Sequence, residues 1–159
     1  MQQQALSTIV AWVRLDRAFE NLNAELKRRY GITGLQLAVL RILSERPQLP
    51  LAALRKALVM HPATLGQAID KLRVMELVTV RRDAADKRSR IVALTPQGQE
   101  MIAGAPLAGP VRLRDVTVEP ARLERLAAAL EDAVELFGLT EWAPGRREKP
   151  MENADANPD

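Results

Sequence analysis

The chain has 159 residues, 47% of them hydrophobic and 27% charged, with a net charge of +3. That is the length of one domain, or of one domain with an extension, and a composition unlike that of a disordered chain. It has no cysteine and a single histidine, His61, which excludes disulfide scaffolds, thiolate zinc sites, thiol redox switches and any metal site built from several histidines.

Residues 5–30 read as one long helix. Trp12, Leu15, Phe19, Leu22, Leu26 and Tyr30 recur at three and four residues and make one apolar seam, while Leu6, Ile9, Val10 and Val13 add a second face in the first half. A helix apolar on two sides packs against two things, either both in its own domain or one in a partner chain. A chain this small is short of material to cover both, which favours the partner. Residues 5–13 form the longest apolar run, about half of the ~18 residues of a membrane span. The start, Met1-Gln2-Gln3-Gln4, lacks the basic region of an export signal, so a cytoplasmic chain with no membrane partner is expected. Gly31 suits the left-handed position that ends the helix.

Thr33-Gly34-Leu35-Gln36 has capping-box form and opens a second helix running to about Glu45. Pro47 and Pro50 predict a turn. A third helix follows over residues 51–58, with Leu51, Leu54 and Leu58 on one side. His61-Pro62 opens a fourth, with Pro62 suited to its first turn, and Leu65, Ala68, Ile69 and Leu72 form its inner stripe to about Met75. The period then changes. Leu77-Val78-Thr79-Val80 and Ile91-Val92-Ala93-Leu94 are short and β-branched, and they flank a polar loop, the pattern of a β-hairpin. Thr95-Pro96 begins a fifth helix that weakens near Gly104. Gly104, Pro106, Gly109 and Pro110 interrupt residues 104–117, and a last helix starts near Glu119-Pro120 with a seam of Leu123, Leu126, Leu130, Val134 and Phe137. Residues 143–159 hold three prolines and no apolar pattern, and read as a disordered tail. With aromatics at 3%, the core must be aliphatic.

Three helices, a strand, a loop and a strand, over residues 33–95, are the order of a winged helix-turn-helix. The second helix of such a motif enters the DNA major groove, so its outer face must be small and polar. The helix from Pro62 offers Ala63, Thr64, Gly66, Gln67, Lys71 and Arg73 there. Thr64 and Gln67 suit base edges, while Lys71 and Arg73 suit phosphates. Gly66 either permits close approach to DNA or is simply tolerated. Five of the ten residues 81–90 are basic, with Asp83 and Asp86 interleaved, so the hairpin alone carries +3. A protruding arginine of this wing suits a narrow minor groove, and Asp86 suits an orienting bond to the Arg88 side chain. No phosphate-binding glycine loop, metal cluster or nucleophile–base pair is visible, which argues against an enzyme and against a cofactor.

Asp86-Lys87-Arg88-Ser89, followed by Ile91-Val92-Ala93-Leu94-Thr95 and Gly98, resembles the wing signature of the MarR (multiple antibiotic resistance regulator) family. Pro62-Ala63-Thr64-Leu65 and Ile69-Asp70-Lys71-Leu72 resemble its recognition helix. The resemblance implies a mainly α fold with a small β-hairpin wing: a winged helix-turn-helix with N- and C-terminal dimerisation helices. It divides the chain into a dimerisation helix (1–31), a DNA-binding domain (32–104), a linker with a second dimerisation helix (105–142) and the tail (143–159). It implies a homodimeric transcriptional regulator on double-stranded DNA with a pseudo-palindromic operator, a repressor released by a small organic ligand, aromatic or anionic. The residues expected at DNA are His61, Ala63, Thr64, Gln67, Lys71, Arg82, Asp86, Lys87, Arg88 and Arg90. Trp12, Leu15 and Phe19 are expected at the ligand, with core or dimer interface the other reading of Trp12. Read from the residues themselves, Arg112 and Arg114 are either ordinary surface charges or a site for an anionic effector. The chain departs from the family pattern at Arg73, where an acid is usual, at Glu76, where glycine usually precedes the wing, and over 104–117, where many members have a long helix. A winged-helix protein-interaction module without specific DNA binding is the alternative reading.

Overall fold

The computed structural model of the chain describes residues 1–58 and 62–143. His61 and the expected tail from residue 144 onward lie outside them. The chain divides into two compact units, Met1–Val116 and a second that begins at Thr117.

In the first unit, helix α1 runs from Gln2 to Tyr30, three residues earlier than expected, because the glutamines before Ala5 are good helix formers and carry no stop signal. Gly31 ends it at φ 69°, and Lys27, Arg28 and Arg29 sit in the last turn, where they complement the helix dipole. Helix α2 (Gly34–Glu45) opens on the expected capping box. The Thr33 side chain accepts from the Gln36 amide at 3.2 Å, and the Gln36 side chain accepts from the Thr33 amide at 2.8 Å. Asn23 of α1 accepts a hydrogen bond from the Gly34 amide at 2.7 Å, so α2 starts pinned to α1.

The expected turn between Pro47 and Pro50 is instead a strand, β1 (Gln48–Pro50), which pairs antiparallel with β3 (Arg90–Leu94). The prolines hid it, since proline cannot donate to a ladder. It is tolerated here because the sheet order β1-β3-β2 leaves β1 at an edge. Helix α3 (Leu51–Leu58) and helix α4 (Pro62–Val74) follow at the expected places. Helix α4 ends in a Schellman motif: the Glu76 amide bonds Arg73 O and the Leu77 amide bonds Leu72 O, both at 3.0 Å, and Leu72 and Leu77 are both fully buried. The left-handed residue in this motif is Glu76, at φ 60°, where glycine is the unstrained choice.

Strands β2 (Val78–Arg82) and β3 form the hairpin in the register Val80↔Val92 and Arg82↔Arg90. Helix α5 (Pro96–Gly104) is capped by Thr95, whose hydroxyl accepts from the Gly98 amide at 3.0 Å and donates to Glu76 O at 2.7 Å. Gly98 lies so close to the Leu77 carbonyl that a Cβ there would collide with it. The core is aliphatic, as the composition requires. Leu37, Leu40, Leu43, Leu54, Leu65, Leu72, Leu77 and Val92 are fully buried, with Leu26 from the end of α1. Each such side chain contributes on the order of 1.5–3 kcal/mol relative to leaving it in water.

After α5, residues 105–116 form no long helix. They hold a single short 3-10 turn, Pro110–Arg114, and lie back on α1 and α2. In the second unit, helix α6 (Pro120–Leu136) starts where Glu119-Pro120 predicted and ends at Gly138, in the left-handed region at φ 69°. None of its residues is buried. Among the described residues, no helix is long and apolar enough to cross a membrane, and no group of three or more His, Cys, Asp or Glu could hold a metal ion.

Candidate nucleic-acid interface

Helix α4 places its two faces as its period requires. Leu65, Ala68, Ile69 and Leu72 are buried against the core, while Ala63, Thr64, Gln67 and Lys71 are exposed. Gly66 and Arg73 lie on the flank that faces the hairpin, and Lys71 lies away from it, beside Val74, Met75 and Gly31. A Cβ on Gly66 would meet nothing within 4 Å, so the glycine deepens the groove beside it.

The wing tip is folded by its two acids. Asp83 Oδ1 accepts from the Ala85 amide at 3.0 Å, and Asp86 Oδ1 accepts from the Arg88 amide at 2.9 Å. The Ser89 amide closes the turn on Asp86 O, and the Asp83 amide bonds Ser89 O, each at 2.9 Å. Asp86 therefore orients Arg88 through its backbone, not through the guanidinium as the sequence suggested. An aspartate bonding its own backbone two residues on is a cheaper and more local device than a side-chain ion pair. Arg82, Lys87, Arg88 and Arg90 are exposed.

Two grooves flank the hairpin. The first, about 350 Å³, lies between α4 and the wing and is lined by Gly66, Asp70, Arg73, Arg81, Arg82 and Arg90, among others. The second, about 280 Å³, lies between α3 and the wing and includes Arg55, Arg88, Ser89 and Arg90. Together they gather six arginines around one carboxylate, Asp70, which pairs with Arg73 at 3.8 Å. Arg82 and Arg90 stand directly opposite each other across the strands. Like charges in that position oppose pairing, so the hairpin holds an arrangement suited to an outside polyanion rather than to its own stability. Arg81 donates to the Gln48 side chain of β1 at 3.1 Å, tying the wing to the edge strand. Arg55 escaped the sequence reading because only the β1–β3 pairing brings α3 beside the wing. The exposed Arg55-Lys56 pair opposite buried Leu54 was the available signal.

A third hollow, about 480 Å³, lies in the first unit between α1, α2, the end of α3 and residues 108–114. Its wall is mostly apolar and includes Phe19, Leu22, Leu35, Ile42, Leu58 and Val111. Of the three residues expected at a ligand, Phe19 lines it, while Trp12 and Leu15 lie farther along α1, exposed. Arg114 also lines it and grips Glu45 at the end of α2: Nε to Oε1 at 2.9 Å and Nη2 to Oε2 at 2.6 Å. That hydrogen bond holds the Glu45 carboxyl below the ordinary carboxylate range, against a smaller opposing effect of burial, and raises the guanidinium of Arg114.

The sequence model of the MarR family matches residues 30–89, from the last residue of α1 through the wing tip. Over this segment the chain is similar to the MarR family. That is a family of transcriptional regulators and not of enzymes. The transcriptional regulator HosA of Escherichia coli is 38% identical over 74 residues, 46% of this chain and 55% of HosA. The chain thus matches only about half the length of these curated relatives. Among solved structures, the transcriptional regulator BldR from Sulfolobus solfataricus superimposes with a TM-score of 0.60 at 26% identity, over 82% of this chain and 95% of BldR. Sco3205, a MarR family transcriptional regulator from Streptomyces coelicolor solved in complex with DNA, does so with a TM-score of 0.66 at 21% identity, over 85% and 88%. The winged-helix architecture of this chain is therefore that of its structural neighbours.

Proposed function

We propose that this chain is a regulator of the MarR family, cytoplasmic, dimeric and sequence-specific in binding DNA, a repressor released by a small organic effector. The observation that carries the reading is the set of six arginines that line the grooves on either side of the wing, next to the small polar face of α4. Ala63, Thr64 and Gln67 on that face read base edges, Lys71 and the arginines Arg73, Arg82 and Arg90 hold phosphates, and Lys87 and Arg88 at the wing tip reach the adjacent minor groove. His61, ahead of α4, is assigned a phosphate contact. Sco3205, which shares the fold, is seen with DNA.

Two apolar surfaces support the dimer. The first half of α1 exposes Leu6, Ile9, Val10, Trp12 and Val13, and α6, taken by itself, exposes Leu126, Leu130 and Leu136. Two recognition helices related by a two-fold axis read half-sites about one turn, ~10 bp, apart. The effector occupies the apolar hollow beside Phe19, whose volume falls in the range of ligand pockets.

The test is selection of genomic fragments by the purified chain, followed by fluorescence anisotropy on a selected duplex. Affinity falls steeply with salt as counterions are released, and Arg88→Ala loses specific binding with an unchanged melting curve. Salt-independent binding, or full binding by Arg88→Ala, refutes the reading and leaves the protein-interaction module.

A further inference from the structure

Only Met75, Glu76 and Leu77 join helix α4 to strand β2, so their backbone sets the angle between the helix and the wing. The middle one, Glu76, is held in the left-handed region at φ 60°. A residue with a side chain stays there only when its surroundings over-determine it. The Schellman bonds to Arg73 and Leu72 supply part of that hold. The rest comes from the start of α5. The Thr95 hydroxyl donates to Glu76 O at 2.7 Å, and the Thr95 amide donates to Leu77 O at 3.1 Å. Gly98 lies so close to Leu77 O that any Cβ would collide with it. Thr95 directly follows Leu94, whose partner across the hairpin is Val78. One residue therefore joins the turn after α4, the open end of the wing and the first turn of α5, where its hydroxyl also accepts from the Gly98 amide at 3.0 Å. The two bonds of that hydroxyl differ in kind. Capping α5 uses only its acceptor lone pair, while the bond to Glu76 O uses its proton.

We infer that Thr95 is a positioning residue for DNA binding: its hydroxyl proton, given to Glu76 O, fixes the wing against α4 at the separation from which both can grip one duplex. The inference rests on the proposed DNA-binding reading and adds to it the joint that spaces the phosphate-holding groups. The groove of about 350 Å³ has Asp70 and Arg73 of α4 on one wall and Arg81, Arg82 and Arg90 of the wing on the other. Its width follows from the turn at Glu76, because β2 begins two residues later. Thr95 lies at the opposite end of the hairpin from Lys87 and Arg88, so it acts through the joint and not by touching DNA. The joint also explains how a glutamate is kept in a conformation that glycine adopts without strain. With the joint loose, the wing has to be ordered at the moment of binding, and the ordering cost is taken from the affinity.

The experiment separates the two bonds of the hydroxyl in the full chain. Thr95→Ser keeps both. Thr95→Asp keeps an acceptor for the Gly98 amide but, ionised at neutral pH, has no proton for Glu76 O. Because the chain has no cysteine, nitroxide labels go only to Gln67→Cys on α4 and Ala85→Cys at the wing tip. The distance between them is read by electron spin echo in labelled chain diluted with unlabelled chain, without DNA. Thr95→Asp is expected to widen that distance distribution about twofold with the melting curve little changed, and Thr95→Ser to leave it as in the native chain. On a selected duplex, Thr95→Asp is expected to bind about tenfold more weakly and Thr95→Ser within about twofold of native. The salt slope of Thr95→Asp shrinks by about 2 as wing arginines drop out of the phosphate count, which a loss of stability alone does not produce. An unchanged distance distribution in Thr95→Asp overturns the inference. So does duplex affinity that stays unchanged when the distribution widens, or a Thr95→Ser variant as impaired as Thr95→Asp. Should Thr95→Asp fail to fold, Thr95→Ala repeats the distance measurement, and an unwidened distribution there overturns the inference equally. If the native chain binds no duplex, the DNA-binding reading falls, and the distance measurement still decides whether Thr95 holds the wing.

Discussion

The two halves of α1 carry the same apolar seam and meet different fates. At its C-terminal end Leu26 is fully buried, and Leu22 and Tyr30 pack against the core. In its N-terminal half the seam residues Trp12 and Leu15 are 45% and 43% exposed, and Leu6 and Ile9 more so. Spacing at three and four residues creates a stripe, but burial needs a neighbouring element, and among the described residues the core closes over the second half of the helix. The difference separates residues buried in the core from residues left exposed in the first unit.

The contrast can be broken by substitution. Leu26→Ala is expected to destabilise the chain by about 3 kcal/mol, read as a shift in urea midpoint, because it leaves a cavity in a closed core. Ile9→Ala is expected to change the same midpoint by less than about 0.5 kcal/mol in dilute protein. Equal effects at the two positions erase the distinction. Ile9→Asp places a charge on the open half and is expected to weaken self-association about 100-fold in sedimentation while the melting transition of the fold persists. An unchanged association constant removes this face from the proposed dimer. At the helix-to-wing turn, Glu76→Gly relieves a left-handed glutamate worth roughly 1–2 kcal/mol of strain, against the roughly 0.5–1 kcal/mol that glycine costs in the unfolded chain. A net gain of about 1 kcal/mol or less is expected, and a loss shows that the Glu76 side chain has a stabilising contact.

The smallest effect concerns the Glu45–Arg114 pair. The folded-state pKa of Glu45 is lowered, so its contribution is complete above the unfolded pKa and is lost as pH falls through the folded one. Exposed as it is, the pair contributes on the order of a few tenths to 1 kcal/mol. Glu45→Gln should therefore shift the urea midpoint slightly at pH 7, and the difference should vanish as pH falls through the lowered folded-state pKa. A difference that grows on acidification contradicts the ion pair.

The local signals of this chain were legible because their partners lie three or four residues away. The Thr33–Gln36 box, the Thr95 cap, proline in the first turn of α4 and α5, and Gly31 after α1 each act within one turn, and each appears where the sequence placed it. The absence of the usual glycine at Glu76 was also visible, and it marks the strained residue of the Schellman motif. The sequence points Asp86 at Arg88, and the bond formed there is accepted from the Arg88 backbone amide. Strand β1 was missed because its partners, Ala93 to Ile91, lie more than forty positions on, and its prolines read locally as a turn.

By itself the sequence determined six helices, a hairpin with a charge excess of +3, an aliphatic core and a small polar outer face on α4. These follow from period, capping and composition, which are properties of neighbouring residues. The tertiary structure alone decided which half of α1 is covered, that Arg55 joins the wing arginines, and that Arg114 closes on Glu45 across 69 positions. Those outcomes depend on where separate elements come to rest, and that is set by burial of the shared core rather than by any short-range pattern in the chain.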